Sequence, residues 1–345
     1  MPRALTPAEA APQLAPGAPE ISPTVAFIIN RTRVQNPDHF AHACRAAALA
    51  RGWAPLFLPT THEEHGEGLV RHAVNAGAEL IFAVGGDGTV RACASVLAGS
   101  GVRLAIVPRG TANLAAKALR IPRRLSAALA TGFGEHETVL DLGVADGAPF
   151  AAMAGIGLDA AVVEATQGLL KLRLGWVAYA HAGLAHLHGP PSEFTVRLDG
   201  GPPLLRAARC VVVGNAGLLP GGFPLLPDAR PDDGLLDVGI LAPSSLAGWA
   251  RVGYRVLTRS RHDDHRLERF RARHVHITAT TPLPRETDGE IISPSPTLEV
   301  TLRPASLIVK TRAPRSRGRR ERQGRRFAQL VQRRRSGLVQ GRGAS

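Results

Sequence analysis

The sequence predicts a two-domain α/β protein, an N-terminal three-layer α/β domain followed by a C-terminal β-sandwich. Two observations carry this. From Thr24 to about residue 140, short apolar runs alternate with helix-length segments, the pattern of a parallel sheet covered on both faces. Beyond that point the runs alternate polar and apolar positions and are separated by turns, the pattern of antiparallel strands.

In order, Thr24–Asn30 (TVAFIIN) is a continuous apolar run and reads as a strand buried on both faces. Residues 39–51 read as a helix, 54–59 as a strand and 66–76 as a helix. Residues 79–84 (ELIFAV) form a strand entering the loop GGDGT, with a helix over 90–97. Residues 102–107 form a strand entering PRGTAN, with a helix over 112–119. The second half carries the strand-like runs ETVLDLGVADG, APFAAMAGIG, EFTVRLDG, LLRAARCVVVG, LLDVGILAP, RHVHITAT and TLEVTLRPA. Helical stretches at 169–188 and 244–258 interrupt them. The domains expected are a disordered leader (1–23), an α/β nucleotide-binding domain (24–142), a β-sandwich (143–310) whose last strand is free to return to the first domain, and a basic disordered tail (311–345) with a short helix at 325–335.

Composition sets the outer limits. The 345 residues are 44% hydrophobic but only 4% aromatic, so aliphatic side chains must build the core. With Gly 37 and Pro 27, turns outweigh helical bundles. The net charge of +14 sits mostly in the tail: from Lys310 onward there are thirteen Lys and Arg and one acid, Glu321, which leaves the body nearly neutral. Three cysteines, Cys44, Cys93 and Cys210, form no CxxC pair and suit a reduced, cytoplasmic chain. No apolar run approaches the roughly 20 residues of a bilayer span, and residues 4–23 lack the compact apolar core of a signal peptide. Histidines at 62, 65, 181, 186 and 188 match no zinc-ligand spacing.

Gly85-Gly86-Asp87-Gly88-Thr89 falls at the end of a buried strand, where ligands of open α/β sheets bind. Glycine there lets backbone N–H groups approach a phosphate, and the next helix adds its positive end. Asp87 beside phosphates requires a metal ion or a transferable proton between them; the plain alternative is a tight turn with Asp87 capping the next helix. There is no P-loop lysine motif, and the only lysines are Lys117, Lys171 and Lys310, so phosphate handling falls to backbone amides, arginine and metal. In Pro108–Asn113, Thr111 either bonds a phosphate as a second wall of the cleft, or Thr111 and Asn113 cap the following helix. Asp228, Asp232, Asp233 and Asp237 crowd one turn, which suits a hairpin or a Mg²⁺ or Ca²⁺ site. Thr287-Asp288-Gly289-Glu290 reads first as a hairpin.

Taken in order, GGDGT, PRGTAN, NAGLLPGGFPLLPDARPDDGLLD and TDGE resemble the catalytic region of the diacylglycerol and sphingosine kinase family, nearest its bacterial lipid kinase branch, over about residues 24–310. The resemblance implies an NAD-kinase-like α/β domain and a β-sandwich with a cleft between them, and ATP-dependent, Mg²⁺-assisted phosphorylation of a lipid hydroxyl, of diacylglycerol or a related lipid. It places ATP phosphates on Gly85, Gly86, Asp87, Gly88 and Thr89, with Thr111, Asn113 and Thr60 (or Thr61) also on the nucleotide. It makes Asp288 the general base. It implies a Mg²⁺ site from the backbone oxygens of Arg230 and Leu235 and the carboxylate of Asp233. Two departures bring arginine towards the phosphates: Val90-Arg91-Ala92 where the family often has Asn-Glu, and Asn30-Arg31-Thr32-Arg33 where it often has Asn-Pro and small residues. The competing readings are an NAD kinase-like small-molecule kinase and a non-catalytic lipid-binding relative. The partners expected are the lipid substrate and an anionic membrane surface, held by the basic tail at the inner face, with no specific nucleic acid. Residues 169–188 read as an acyl-contact element or as ordinary core, and the oligomeric state stays open, a homodimer included.

Overall fold

A computed structural model of the chain describes residues 22–61, 66–157, 191–219 and 223–313. Residues 1–21 of the leader, the helical stretches expected at 169–188 and 325–335, and residues 314–345 of the basic tail lie outside these.

β1 (Thr24–Asn30), α1 (Pro37–Leu49), β2 (Ala54–Thr60), α2 (Glu67–Asn75), β3 (Ala78–Gly85), α3 (Asp87–Leu97) and β4 (Arg103–Pro108) alternate as expected. The strands run parallel in the order β2-β1-β3-β4. Successive side chains of a strand point to opposite faces. Val25, Phe27, Ile29, Leu80, Phe82 and Val84 therefore meet α1 through Phe40, Cys44 and Ala48. Ala26, Ile28, Ile81 and Ala83 meet α2 and α3 through Val70, Ala73, Cys93, Ala94 and Leu97. The chain is poor in aromatics, yet Phe57, Phe27 and Phe82 stack with ring centres 5.2 and 4.8 Å apart, and Phe133 meets Phe82 at a tilt of 51° and 4.9 Å. Such contacts add about 0.5–1.5 kcal/mol each beyond their buried area.

α4 (Leu114–Ala118) is shorter than the helix read at 112–119, and α3 begins at Asp87, three residues before the helix read at 90–97. α5 (Leu125–Gly132) was not expected; LSAALATG is too uniformly small and apolar to display a helical stripe, and its place is set by Ala128 and Leu129 packing on the sheet.

The second half comprises β5 (Glu137–Ala145), β6 (Ala148–Phe150), β7 (Met153–Ile156), β8 (Ser192–Leu198), β9 (Leu204–Ala208), β10 (Cys210–Gly214), the short pair β11 (Leu218–Leu219) and β12 (Phe223–Pro224), β13 (Leu236–Leu241), α6 (Leu246–Thr258), β14 (Leu267–Ala272), β15 (His274–Thr287) and β16 (Glu290–Lys310). Its strands are antiparallel and enclose a core of Phe150, Ile156, Phe194, Val211, Val213, Leu236, Val238, Ile277 and Leu298. β15 serves both sheets of the sandwich: residues 275–279 pair with β8 and residues 285–287 with β7. Between these stretches its ladder to β16 breaks, where Pro282 and Pro284 have no N–H to give. β16 pairs with β15, then with β5, and at Val309 lies parallel to Leu104 of β4. One ladder thus runs through both halves.

Asp141 of β5 pins this seam. Only 5% exposed, its carboxylate accepts from Gly234 N and Ala305 N, both at 2.7 Å, while its backbone N–H donates to Pro231 O and its carbonyl accepts from Asn215 Nδ2. Asp141→Ala leaves two part-buried amides without an acceptor and breaks the seam they close. The expected loss is roughly 2–5 kcal/mol of unfolding free energy by urea titration, far above that of an exposed Asp→Ala.

Candidate functional site

The registers Asn30↔Thr60, Ile29↔Val84 and Gly85↔Pro108 bring the carboxyl ends of β1 to β4 to one edge of the sheet. Thr60 ends β2 there, half-buried, with Thr61 exposed beside it. Arg31 and Arg33 leave β1 in an exposed turn and have no acidic partner among the described residues. Gly85 and Gly86 leave β3, and Asp87 opens α3.

The glycines at this edge do different jobs. A Cβ on Gly85 would lie 2.2 Å from Thr89 Oγ1, and one on Gly110 would lie 2.4 Å from Gly86 Cα. Arg109 N and Gly110 N both donate to Gly85 O, at 2.7 and 3.1 Å. The two loops are therefore zipped backbone to backbone. Gly88 differs: it is exposed, and a Cβ on it would meet nothing within 4 Å. Bare backbone in the first turn of a helix is what a phosphate needs for close approach.

The cap of α4 expected from Thr111 or Asn113 comes instead from Asp87. Its Oδ1 accepts from Leu114 N at 2.6 Å and Ala115 N at 3.4 Å. Asn113 adopts φ +48° and turns its side chain back on Gly110, accepting from its N–H at 2.8 Å and donating to its carbonyl at 2.6 Å. Thr111 is exposed and makes no hydrogen bond among the described residues. Burial pushes the Asp87 carboxyl above the ordinary carboxylate range, and the negative charge of Asp288 adds to the push. Lys117, on α4, also feels Asp87; burial lowers its pKa and Asp87 opposes that fall.

Asp288 and Gly289, at φ +51° and +80°, form a two-residue turn between Thr287 and Glu290, the geometry of a type I′ hairpin. The Asp288 carboxylate is docked onto the β6–β7 connection: Oδ2 accepts from Ala151 N at 2.8 Å, and Oδ1 from Ala152 N at 2.7 Å and Met153 N at 3.1 Å. The Asp288 N–H returns a bond to Met153 O at 2.8 Å. A carboxylate has about four lone-pair sites, so one remains open, on Oδ2. Burial raises this carboxyl's pKa, against the pull of the three amides and of Arg91.

Arg91 joins the two halves. One turn beyond Asp87 on α3, it donates to Thr287 O at 3.3 Å and Thr287 Oγ1 at 3.4 Å and forms an ion pair with Glu290. The hairpin is thereby held against the helix that carries Asp87. Glu286, two residues before Asp288, lies beside Gly155 and its carboxyl is pushed up to about 7 by burial and by Asp288.

The acidic turn is answered from within. Arg261 pairs with Asp228 at 2.6 Å and Arg230 with Asp232 at 3.1 Å. Arg271 reaches Asp233 at 3.2 Å, Asp237 at 3.1 Å and the Asp228 carbonyl at 2.8 Å. Asp233 Oδ1 also accepts from Leu235 N at 3.3 Å. Among the described residues no three His, Cys, Asp or Glu side chains gather as a metal would require. Oxygen donors from Arg230, Asp233 and Leu235 have the right chemistry for a hard cation, but Arg271 already supplies the positive charge there, so no step is assigned to a metal at this turn.

Lys117, Glu286, Asp141 and the amides of residues 151–153 were missed from sequence. Each owes its place to a partner far along the chain, and no local pattern marks it.

The diacylglycerol kinase catalytic domain family matches residues 24–145, and the YegS C-terminal NAD kinase beta sandwich-like domain matches residues 152–311. The chain is 34% identical over 271 residues to a Pseudomonas fluorescens protein named "Probable lipid kinase YegS-like", a match covering 77% of this chain and 89% of that one. A protein of the same name from Pseudomonas syringae pv. syringae is 34% identical over 267 residues, covering 75% and 84%. The fold is shared with a crystal structure of a diacylglycerol kinase from Bacillus anthracis, at a TM-score of 0.64 and 22% identity over 84% of this chain and 97% of that one. The two family matches, one over the α/β domain and one over the sandwich, place the chain among the lipid kinases related to the diacylglycerol kinases. The chain belongs to the YegS-like lipid kinase family.

Glu286 gives a test of the site's electrostatics. Its folded pKa of about 7 exceeds the ordinary 4.5, so the folded state binds the extra proton and stability falls as pH rises from about 4.5 to 7. Glu286→Gln stays neutral. Urea unfolding at about pH 5 and pH 8 should show little difference from the parent at the lower pH and a gain on the order of 2–3 kcal/mol at the higher.

Proposed function

We propose that this chain transfers the γ-phosphate of ATP to a hydroxyl of a membrane lipid, diacylglycerol or a close relative, with Asp288 as the general base. The observation that carries the reading is the meeting of Asp87, in the first turn of a Gly-rich strand-to-helix loop, with Asp288, on a hairpin from the other half of the chain. A phosphoryl transfer needs positioning and charge stabilisation more than covalent chemistry. The α3 N-terminus and bare Gly88 receive the phosphates, with Thr60, Thr89 and Thr111 at the same strand edge and Arg31 and Arg33 near enough in the fold to balance their charge. Asp87 Oδ1 is spent on α4, which leaves Oδ2, a hard oxygen donor, for a divalent cation. Mg²⁺ brought with ATP would neutralise the phosphate charge there. Asp288 takes the acceptor hydroxyl's proton on the open lone pair of Oδ2; its three amide donors and Arg91 favour the ionised form against the burial that raises its pKa. The basic tail would hold the protein at an anionic surface, at about 1 kcal/mol per Lys or Arg close to it. Among the described residues no helix is long and apolar enough to cross a membrane.

Incubation with labelled ATP, Mg²⁺ and a total lipid extract should yield a labelled lipid whose identity names the acceptor; a labelled nucleotide product instead would replace the lipid reading with an NAD-kinase-like one. Asp288→Asn should lower kcat by about 10²–10⁴-fold while ATP binding by calorimetry is kept. Undiminished turnover would remove Asp288 from the reaction.

Arg91 tunes the same base. Its positive charge favours ionised Asp288, so Arg91→Ala should raise the Asp288 pKa further. Activity that needs the ionised base would then be lost at a higher pH, and the acidic limb of kcat/KM against pH should move upward.

A further inference from the structure

α6 (Leu246–Thr258) has two unlike faces. Val252, Val256 and Trp249 pack inward on Leu225, Leu226, Leu241 and Leu267. At about 100° per residue, Ala247, Ala250, Arg251, Tyr254, Leu257 and Thr258 fall within an arc of about 120° on the opposite side, and all six are exposed. Tyr254 is 67% and Leu257 43% exposed, two of the few large apolar side chains left in solvent among the described residues. They are not scattered: three residues apart, they form one ridge with Ala247 and Ala250, and Arg251 and Thr258 flank it.

The charge around this ridge has one sign. Residues 238–262 contain four arginines and no acid. Arg255 is committed to Asp264 at 2.7 Å and Arg261 to Asp228 at 2.6 Å. Arg251 and Arg259, both exposed, have no acidic partner among the described residues. An apolar ridge carrying tyrosine and leucine beside unpaired arginines matches the interfacial layer of a bilayer, where aromatic rings and aliphatic stems enter the acyl boundary and guanidinium groups stay with anionic headgroups.

We propose that the outer face of α6 is a docking surface for an anionic lipid bilayer. The choice of a bilayer over another acidic partner rests on the lipid-kinase reading; the ridge and its charge do not. This surface is built from residues other than those of the basic tail. The tail supplies only screened attraction, whereas α6 inserts apolar side chains and so orients the protein on the membrane.

The test uses the full chain. Cys44, Cys93 and Cys210 are buried, so Leu257→Cys can be labelled selectively with an environment-sensitive nitrobenzoxadiazole dye. Vesicles of phosphatidylcholine, with and without phosphatidylglycerol, are added without ATP. A blue shift and intensity rise confined to the anionic vesicles support the proposal, as does a roughly tenfold weaker response when Tyr254→Ser is added. Co-sedimentation with anionic vesicles and an unchanged spectrum would assign binding to the tail and overturn it. A spectral change that grows with protein concentration in the absence of lipid would make the ridge a contact between copies of this chain, and also overturn it. Dye entry into the bilayer with no lipid phosphorylated in the extract assay leaves the docking surface standing and removes the kinase reading. Phosphorylated lipid with a water-exposed dye does the reverse.

Discussion

Two carboxylates kept close together inside a protein raise each other's energy and lose their hydration as well, so each must be given donors that replace water. Asp87 and Asp288 are in this position. Asp87 takes the first amides of α4, and Asp288 takes three consecutive amides of the β6–β7 connection. Hydrogen bonds to a charged group are worth about 1.5–3 kcal/mol each, and they offset part of a burial and repulsion that still leave both carboxyls above the ordinary range. Neither set of donors lies on the element that carries the acid. The site therefore forms only when α3 and α4, and the hairpin and β6–β7, are already docked.

That docking is achieved by strand continuity rather than by a loose contact of two bodies. The hairpin that carries Asp288 grows from β15 and β16. β15 bends between the two sandwich sheets, and β16 runs on to lie beside β4 at Val309. The tip beside Arg91 and the far end beside Leu104 are thus parts of one strand. Asp141 ties the middle of this seam to the acidic turn and to Ala305. The ion pairs differ in weight: Arg71–Glu67, with both side chains half in solvent, adds a few tenths of a kcal/mol, whereas Arg271 fixes one turn through two carboxylates and a carbonyl.

The parallel half was largely legible because TVAFIIN and ELIFAV are buried on both faces and carry their signal in a few adjacent residues. The DG turn at Asp288 was legible for the same reason, since two adjacent residues at positive φ favour Asp-Gly. What local pattern could not convey is pairing at a distance. Asp87 reads as a cap for its own helix, yet it caps a helix 27 residues away because β4 brings PRGTAN alongside. The four aspartates of residues 228–237 read as a hairpin or a Mg²⁺ or Ca²⁺ site, with Arg230 the one cation among them in sequence. Two further cations, which no local pattern marks, arrive from α6's C-terminal flank and from β14, where Arg261 and Arg271 lie. Arg91 looked like a departure near the phosphates, and only the fold shows its guanidinium committed to Thr287 and Glu290.

The glycines show how far a motif can mislead even when its family is right. GGDGT and PRGTAN suggest that every glycine is there for the nucleotide. In the fold, Gly85 and Gly110 are fixed by the protein's own packing, since a methyl group at either would overlap Thr89 or the Gly86 backbone. A substitution at those two positions would disturb the loops whether or not a phosphate ever came near, so it says nothing about ligand binding. Gly88 is the informative one. No neighbour excludes a side chain there, and its backbone is free of the positive φ that would demand glycine. A protein-internal reason for the missing Cβ is therefore lacking, and the space it leaves lies in the first turn of α3, one residue from Asp87. Under the proposed function that space would admit a phosphate to the first turn of α3.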